Sequence, residues 1–369
     1  EIIGEPEGVR IPLREEDLYS TSTPRNFEWK LADEVEHVVL ATLGYAHFDQ
    51  GAYSEAINFY EDALEQSQRP ADLPSTLYFP QYFLKGLAQH EQGAFSEAIE
   101  SYEQATKADP SQPMAWSNLG FALMKEGNLN EAIKSHDRAV VADSSNAKVW
   151  SNRGVALMRE GDLSGALKSY DRALELDPSM ALAWVNQGAA LVGQGNLSGA
   201  IKSLNRALEI DPSLKSAWAN RGSALAKQGK FGDAINSYDR ALQIDSSYAK
   251  VWSNRGAALA DQGKFEESIA SYDRALAIDS SYAGAWFGKG NTLKKKGSLF
   301  GAIKSYDRAL EIDSSYAKAW INRGSALSEQ NHLTAAIESY DRALEIDSSS
   351  VKAWLGMASA LKERVDLPA

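Results

Sequence analysis

Six asparagines recur in register along the chain: Asn118, Asn152, Asn186, Asn220, Asn254 and Asn322. Each lies two residues after a tryptophan, as in the stretch "VWSNRG" at 251–256. A carboxamide offers two N–H donors and one carbonyl acceptor and carries no charge. Such a rung can satisfy both the C=O and the N–H of an extended peptide, whatever side chains that peptide carries. It can equally bond the chain's own backbone or a neighbouring side chain. Four lysines, Lys148, Lys250, Lys318 and Lys352, share a second register, and their ammonium groups would attract carboxylates. Bond-making chemistry has far less to work with. The five histidines (His37, His47, His90, His136 and His332) share no register, and there is no cysteine to act as nucleophile or metal ligand. No HExxH, phosphate-binding glycine loop or Ser-His-Asp arrangement occurs. Paired carboxylates fall on polar helix faces, where solvation explains them. The chain is therefore expected to be no enzyme, and to need no cofactor or metal.

Composition narrows the partner. The 369 residues are 44% hydrophobic and 24% charged, which suits a folded chain and not a disordered one. A formal charge of −12 argues against nucleic acid or an anionic membrane as partner. No apolar run approaches a membrane span and no signal peptide is visible, so a cytoplasmic location is expected. The first residue is Glu1, not Met, which points to a processed product or an excised piece.

The residues that position these side chains form a repeat. Trp116, Trp150, Trp184, Trp218, Trp252, Trp286, Trp320 and Trp354 are each 34 residues apart, the mark of a repeat architecture. With each Trp at position 4, Gly recurs at position 8 (Gly154, Gly256), Ala at 20 and 27 (Ala166, Ala173) and Tyr at 24 (Tyr170, Tyr272). His136 and Leu204 replace the Tyr, and Ser268 replaces the Ala at position 20. Full repeats start at 37, 79, 113, 147, 181, 215, 249, 283 and 317, and a capping half-repeat covers 351–363. The array as a whole is placed at 27–369, after an irregular segment at 1–26, with an insertion at about 69–78. Within a repeat, Trp252, Gly256 and Leu259 share one helical face, and Phe265, Ile269, Tyr272 and Leu276 share another. Each repeat thus reads as a helix pair. Gly263 ends the first helix with a left-handed residue, a job given to Asn331 in 317–350. Asp279 and the serines after it are expected to cap the next first helix. Trp at position 4 and Tyr at position 24 are expected to fill the space between helices, while the small residues let them approach.

This pattern resembles the tetratricopeptide repeat family over roughly 37–363. In 147–180 it is carried by Trp150, Gly154, Gly161, Ala166, Tyr170, Ala173 and Pro178. The resemblance implies an all-α fold, a right-handed α-solenoid or superhelix of tandem 34-residue helix-turn-helix repeats. Its first helices would line a concave groove for a peptide or partner protein. It also implies that positions 2, 5, 6, 9, 12 and 13 face that groove. The position-6 asparagines then resemble the ladders that bind extended peptides in the O-linked GlcNAc transferase branch of the family. Lys125, Arg159, Lys227, Lys294, Lys295 and Lys362 join the four lysines on the groove side, against Asp261, Glu329 and Glu363. A basic groove in an acidic chain would draw in an acidic peptide. The family's carboxylate clamp is incomplete: Asn291, Asn322 and Lys352 match it, but Phe287 and Gly356 do not. Position 7, usually apolar, holds Arg153, Gln187, Arg221, Arg255, Lys289 and Arg323. These are expected to pair with acids such as Asp171, Asp239, Asp273, Asp307 and Asp341.

The function expected is therefore a protein–protein interaction scaffold. The alternatives are the substrate-binding arm of a larger, transferase-like enzyme, or a self-association module.

Overall fold

The computed structural model describes residues 35–66 and 78–366. The expected segment 1–26, the helical start at 27–34 and the insertion at 69–78, apart from Tyr78, lie outside the described residues. Among those described there are nineteen helices and no strand. They are α1 (Val35–Asp49), α2 (Tyr53–Gln66), α3 (Phe79–Glu91), α4 (Phe95–Ala108), α5 (Pro113–Lys125), α6 (Leu129–Ala142), α7 (Ala147–Glu160), α8 (Leu163–Leu176), α9 (Ala181–Gly193) and α10 (Leu197–Ile210). After them come α11 (Lys215–Lys227), α12 (Phe231–Ile244), α13 (Ala249–Asp261), α14 (Phe265–Ile278), α15 (Ala283–Lys295), α16 (Leu299–Ile312), α17 (Ala317–Glu329), α18 (Leu333–Ile346) and α19 (Val351–Asp366). The chain divides into two compact units, with the boundary between Ile210 and Asp211. Within each unit, every first helix packs on its second helix, and every second helix packs on the next first helix.

Size matching holds each pair together. A Cβ built on Gly154 would lie 2.6 Å from Tyr170 Cε1, so the ring occupies the space that a larger residue would need. Tyr60, Tyr102, Tyr170 and Tyr306 are completely buried, as are Ala166 and Ala173 beside Tyr170. Ser268, which stands where Ala usually does, is accommodated by donating to the Gly256 carbonyl at 2.7 Å. The tight turn inside each pair needs a left-handed residue. Gly263 supplies it with φ 78°, and Asn331, the one non-glycine at positive φ among the described residues, supplies it with φ 62°.

Two sequence expectations are corrected. Asp279 does not cap the following helix. The residue at that helix's N-cap is Tyr282, whose side chain makes no capping bond, while Asp279 Oδ1 accepts from the N–H and hydroxyl of Ser281 and so closes the loop on itself. The same Asp–Ser loop recurs at Asp177–Ser179, Asp245–Ser247, Asp313–Ser315 and Asp347–Ser349. An Asp two residues before a Ser bonds locally more readily than it reaches a helix terminus. The position-4 tryptophans do pack against the core between helices, as Trp252 and Trp286 do on the cluster of Tyr272, Leu276 and Ala285, but they are not the fully buried residues expected. Trp150, Trp184, Trp252 and Trp286 are partly buried, and Trp354 is 52% exposed. Each indole N–H instead reaches back to a loop carbonyl six residues earlier, as from Trp184 to Pro178 at 2.9 Å and from Trp252 to Ser246 at 2.9 Å. Trp therefore joins the inter-repeat loop to the helix that follows it.

Candidate functional site

The first helices of neighbouring repeats touch within each unit, as α13 does α15 and α17 does α19. Their shared face carries the predicted asparagine rungs, but at different depths. Asn118, Asn152 and Asn186 are buried, at 1%, 6% and 3% exposure. Asn220, Asn254 and Asn322 are half-buried. The first three amides thus lie beneath the surface and the other three nearer to it.

The reason is a neighbour that alignment of single repeats hides. Position 6 sits against the position-24 ring of the preceding repeat. Where position 6 is Gly288, an added Cβ would come within 2.5 Å of the Tyr272 hydroxyl, and at Gly356 within 2.5 Å of Tyr340 Cζ. Asn152 Nδ2 donates to the Ser117 hydroxyl of the preceding first helix at 2.9 Å. At Asn322 the amide N–H reaches Asn291 Oδ1 at 2.8 Å, and the Tyr306 hydroxyl donates to the same oxygen at 2.9 Å. Two of the three matched clamp residues are therefore bonded to each other.

Lys148 and Lys318 are exposed on the first helices, as are Arg159 and Lys227; Lys352 is exposed and Lys250 half-buried. Two acids of this face are engaged by its own lysines: Asp261 by Lys295 at 3.0 Å and Glu329 by Lys294 at 2.9 Å. Lys215, at the start of α11, salt-bridges Asp245 at 2.6 Å, and together with Ser247 it holds that carboxyl down at about 2.

Position 7 faces the other way and works as a latch between repeats. Arg255 Nε meets Asp239 of the preceding second helix at 2.6 Å, and its Nη1 donates to Ser271 of its own second helix at 2.7 Å. Arg153 and Arg323 repeat this with Asp137 and Ser169, and with Asp307 and Ser339. Lys289 takes Asp273 at 2.6 Å, and Gln187 donates to Asp171 at 2.7 Å. The expected pairing is found at these sites, and the serine on the second helix is the partner that the sequence did not announce. Arg255→Ala and Asp239→Asn, alone and combined, should show a coupling of about 1 kcal/mol in denaturant melts, a modest value because Asp239 is exposed. Additive losses would remove the latch.

One core polar group stands apart. His136, in the place of a Tyr, is fully buried against Gly120, and neither ring nitrogen has a hydrogen-bond partner. Burial, reinforced by the charge of Arg153, lowers its pKa to about 3.

With this geometry in hand, comparison decides the family. Models described as TPR repeat match residues 86–127, 222–263, 258–297 and 290–331. Models described as tetratricopeptide repeat match 39–69, 151–214 and 317–350. The chain belongs to the tetratricopeptide repeat family. No curated protein sequence matches it. The tetratricopeptide array resembles the Cut9–Hcn1 hetero-tetramer of the APC/C at 14% identity and a TM-score of 0.56, covering 91% of this chain and 78% of the other. It is also similar to a tetratricopeptide repeat protein from Parabacteroides merdae (17% identity, TM-score 0.54, 68% and 98% covered). A third likeness is to PilF of Pseudomonas aeruginosa (18%, 0.51, 59% and 98%). At these identities the likeness is one of fold. The tetratricopeptide array is a scaffold of the protein–protein interaction type, and no helix among the described residues is long and apolar enough to cross a membrane.

Proposed function

We propose that the tetratricopeptide array holds an extended, acidic segment of a partner protein on its first-helix face. The observation that carries this is the make-up of that face in the second unit. Half-buried amides at Asn220, Asn254 and Asn322 lie among exposed Lys227 and Lys318, while Asp261 and Glu329 are occupied by lysines. The half-buried amides bond the segment's backbone through the capacity that Asn291 and the core leave unused, and the lysines favour its carboxylates in a chain whose overall charge would repel them. In the first unit, taken by itself, Lys148 and Arg159 are exposed on the first-helix face, and Asn118, Asn152 and Asn186 are buried beneath it.

The test is an acidic extended peptide, rich in Asp and Glu, titrated against the full chain and its variants by calorimetry. Changing Asn220, Asn254 and Asn322 together to Ala should weaken binding about tenfold or more, with the circular dichroism melt nearly unmoved. Lys227→Glu with Lys318→Glu should weaken it further and flatten its salt dependence. Unchanged affinity in both variants rejects the proposal.

A further inference from the structure

The array supplies its own standard for what each position should hold, and one repeat departs from it twice at the same place. At position 7 the repeat at 79–112 and every full repeat from 147 to 350 carry a polar latch residue, from Lys85 to Arg323. At position 29, Glu175, Glu209, Glu311 and Glu345 each pair with the arginine three residues earlier. In 113–146 both positions are apolar: Leu119 and Val141. Both line one cavity of about 990 Å³ between the second helices α4 and α6, where the latch would otherwise lie. Its floor is Trp116, Leu119 and Leu123, with Ile99 on one wall. Val141 stands on the rim at 86% exposure. Arg138 has no glutamate three residues on and lies over the Trp116 ring at 5.2 Å, as Arg308 lies over Trp286 at 5.8 Å.

The rim has a sign. Lys134 is held by Glu131 and Asp137 by Arg153, both at 2.6 Å. Glu100 on α4 and Glu126 after α5 line the same cavity and have no basic partner among the described residues. The wall from Ser96 to Lys107 spans about three helical turns, on the order of 16 Å. We propose that this groove is a second docking site, separate from the first-helix face, for a short amphipathic helix of a partner protein. That helix presents an apolar stripe at i, i+3/i+4 and i+7 to Leu119, Leu123 and Val141, and flanks it with Lys or Arg toward Glu100 and Glu126.

A phage library of 14-residue peptides selected on the full chain tests this, followed by fluorescence polarisation of the synthesised winners. The probing variants are Leu119→Arg and Val141→Glu, which install the pair that 147–180 carries as Arg153 and Glu175 and 317–350 as Arg323 and Glu345. Leu119→Arg finds Glu103 and Ser135 at the latch-partner positions, so both variants should keep the wild-type melt. Selected peptides should combine the apolar spacing with basic flanks, bind Leu119→Arg and Val141→Glu at least tenfold more weakly, and bind Glu100→Gln with Glu126→Gln about threefold to tenfold more weakly. Winners that lack Lys and Arg, winners that bind the variants as tightly, or the absence of winners would each overturn the site. Sedimentation in which wild-type copies associate and Leu119→Arg copies do not would overturn it in favour of a second copy of this chain as the occupant.

Discussion

Tyr170→Ala should destabilise the first unit by about 3–5 kcal/mol, the cost of emptying a fully buried aromatic site. The ring is completely buried and closes the space over Gly154, whose missing Cβ is what admits it. Small residues surround it, so collapse around the cavity is limited and the loss should fall near the upper end. Trp184→Ala, by contrast, removes a half-buried ring and one bond to the Pro178 carbonyl, and should cost about 1–3 kcal/mol. A repeat array does not unfold as a single two-state body. The check is therefore hydrogen exchange of the α7 and α8 amides beside global denaturant melts. Equal losses for the two variants would contradict the division between core Tyr and loop-joining Trp.

The second large effect is acid lability centred on His136. The folded chain keeps this ring neutral and holds its pKa at about 3, whereas the unfolded chain takes up the proton near the ordinary value of about 6.5. Between those values the unfolded state binds more protons. The contribution is intact above about pH 6.5 and is lost as pH falls toward 3, by more than about 1 kcal/mol per pH unit at the one-proton limit. His136→Tyr restores the residue that Gly154 and Gly222 accept in their own repeats, and should remove this component. Melts from pH 7.5 to 4 should show the wild type losing stability faster than the variant, with early exchange in α5 and α6. Parallel curves would show that the histidine is not the source.

Much of the fold was legible because it depends on residues that act within one repeat. Gly263 and Asn331 share a turn position that needs positive φ, and only Gly and Asn tolerate it readily. The pairing of Arg255 with Asp239 was legible because an unusual charge recurs one helix away from a recurring acid. The asparagine rungs were harder. The amide at position 6 looked free only because the ring it packs against belongs to the repeat before, at position 24. The same neighbour explains why Gly288 and Gly356 occur there: at those two places the Tyr ring fills the space itself. Tryptophan misled in the other direction. Its size suggested a fully buried residue, but its indole N–H has a donor role that the loop carbonyl meets, and this keeps the ring near the surface. The cavity over Leu119 could be found only by comparing each repeat with the rest and then seeing that two departures meet in space.

The central claim is that the first-helix face, and the half-buried asparagines in particular, meet a partner's extended acidic segment. The most direct measurement is the side-chain amide NMR signals of the asparagines during titration with such a peptide. The account predicts saturable shifts at Asn220, Asn254 and Asn322, with the buried amide of Asn118 moving little. Binding that leaves the signals of Asn220, Asn254 and Asn322 unshifted would contradict it.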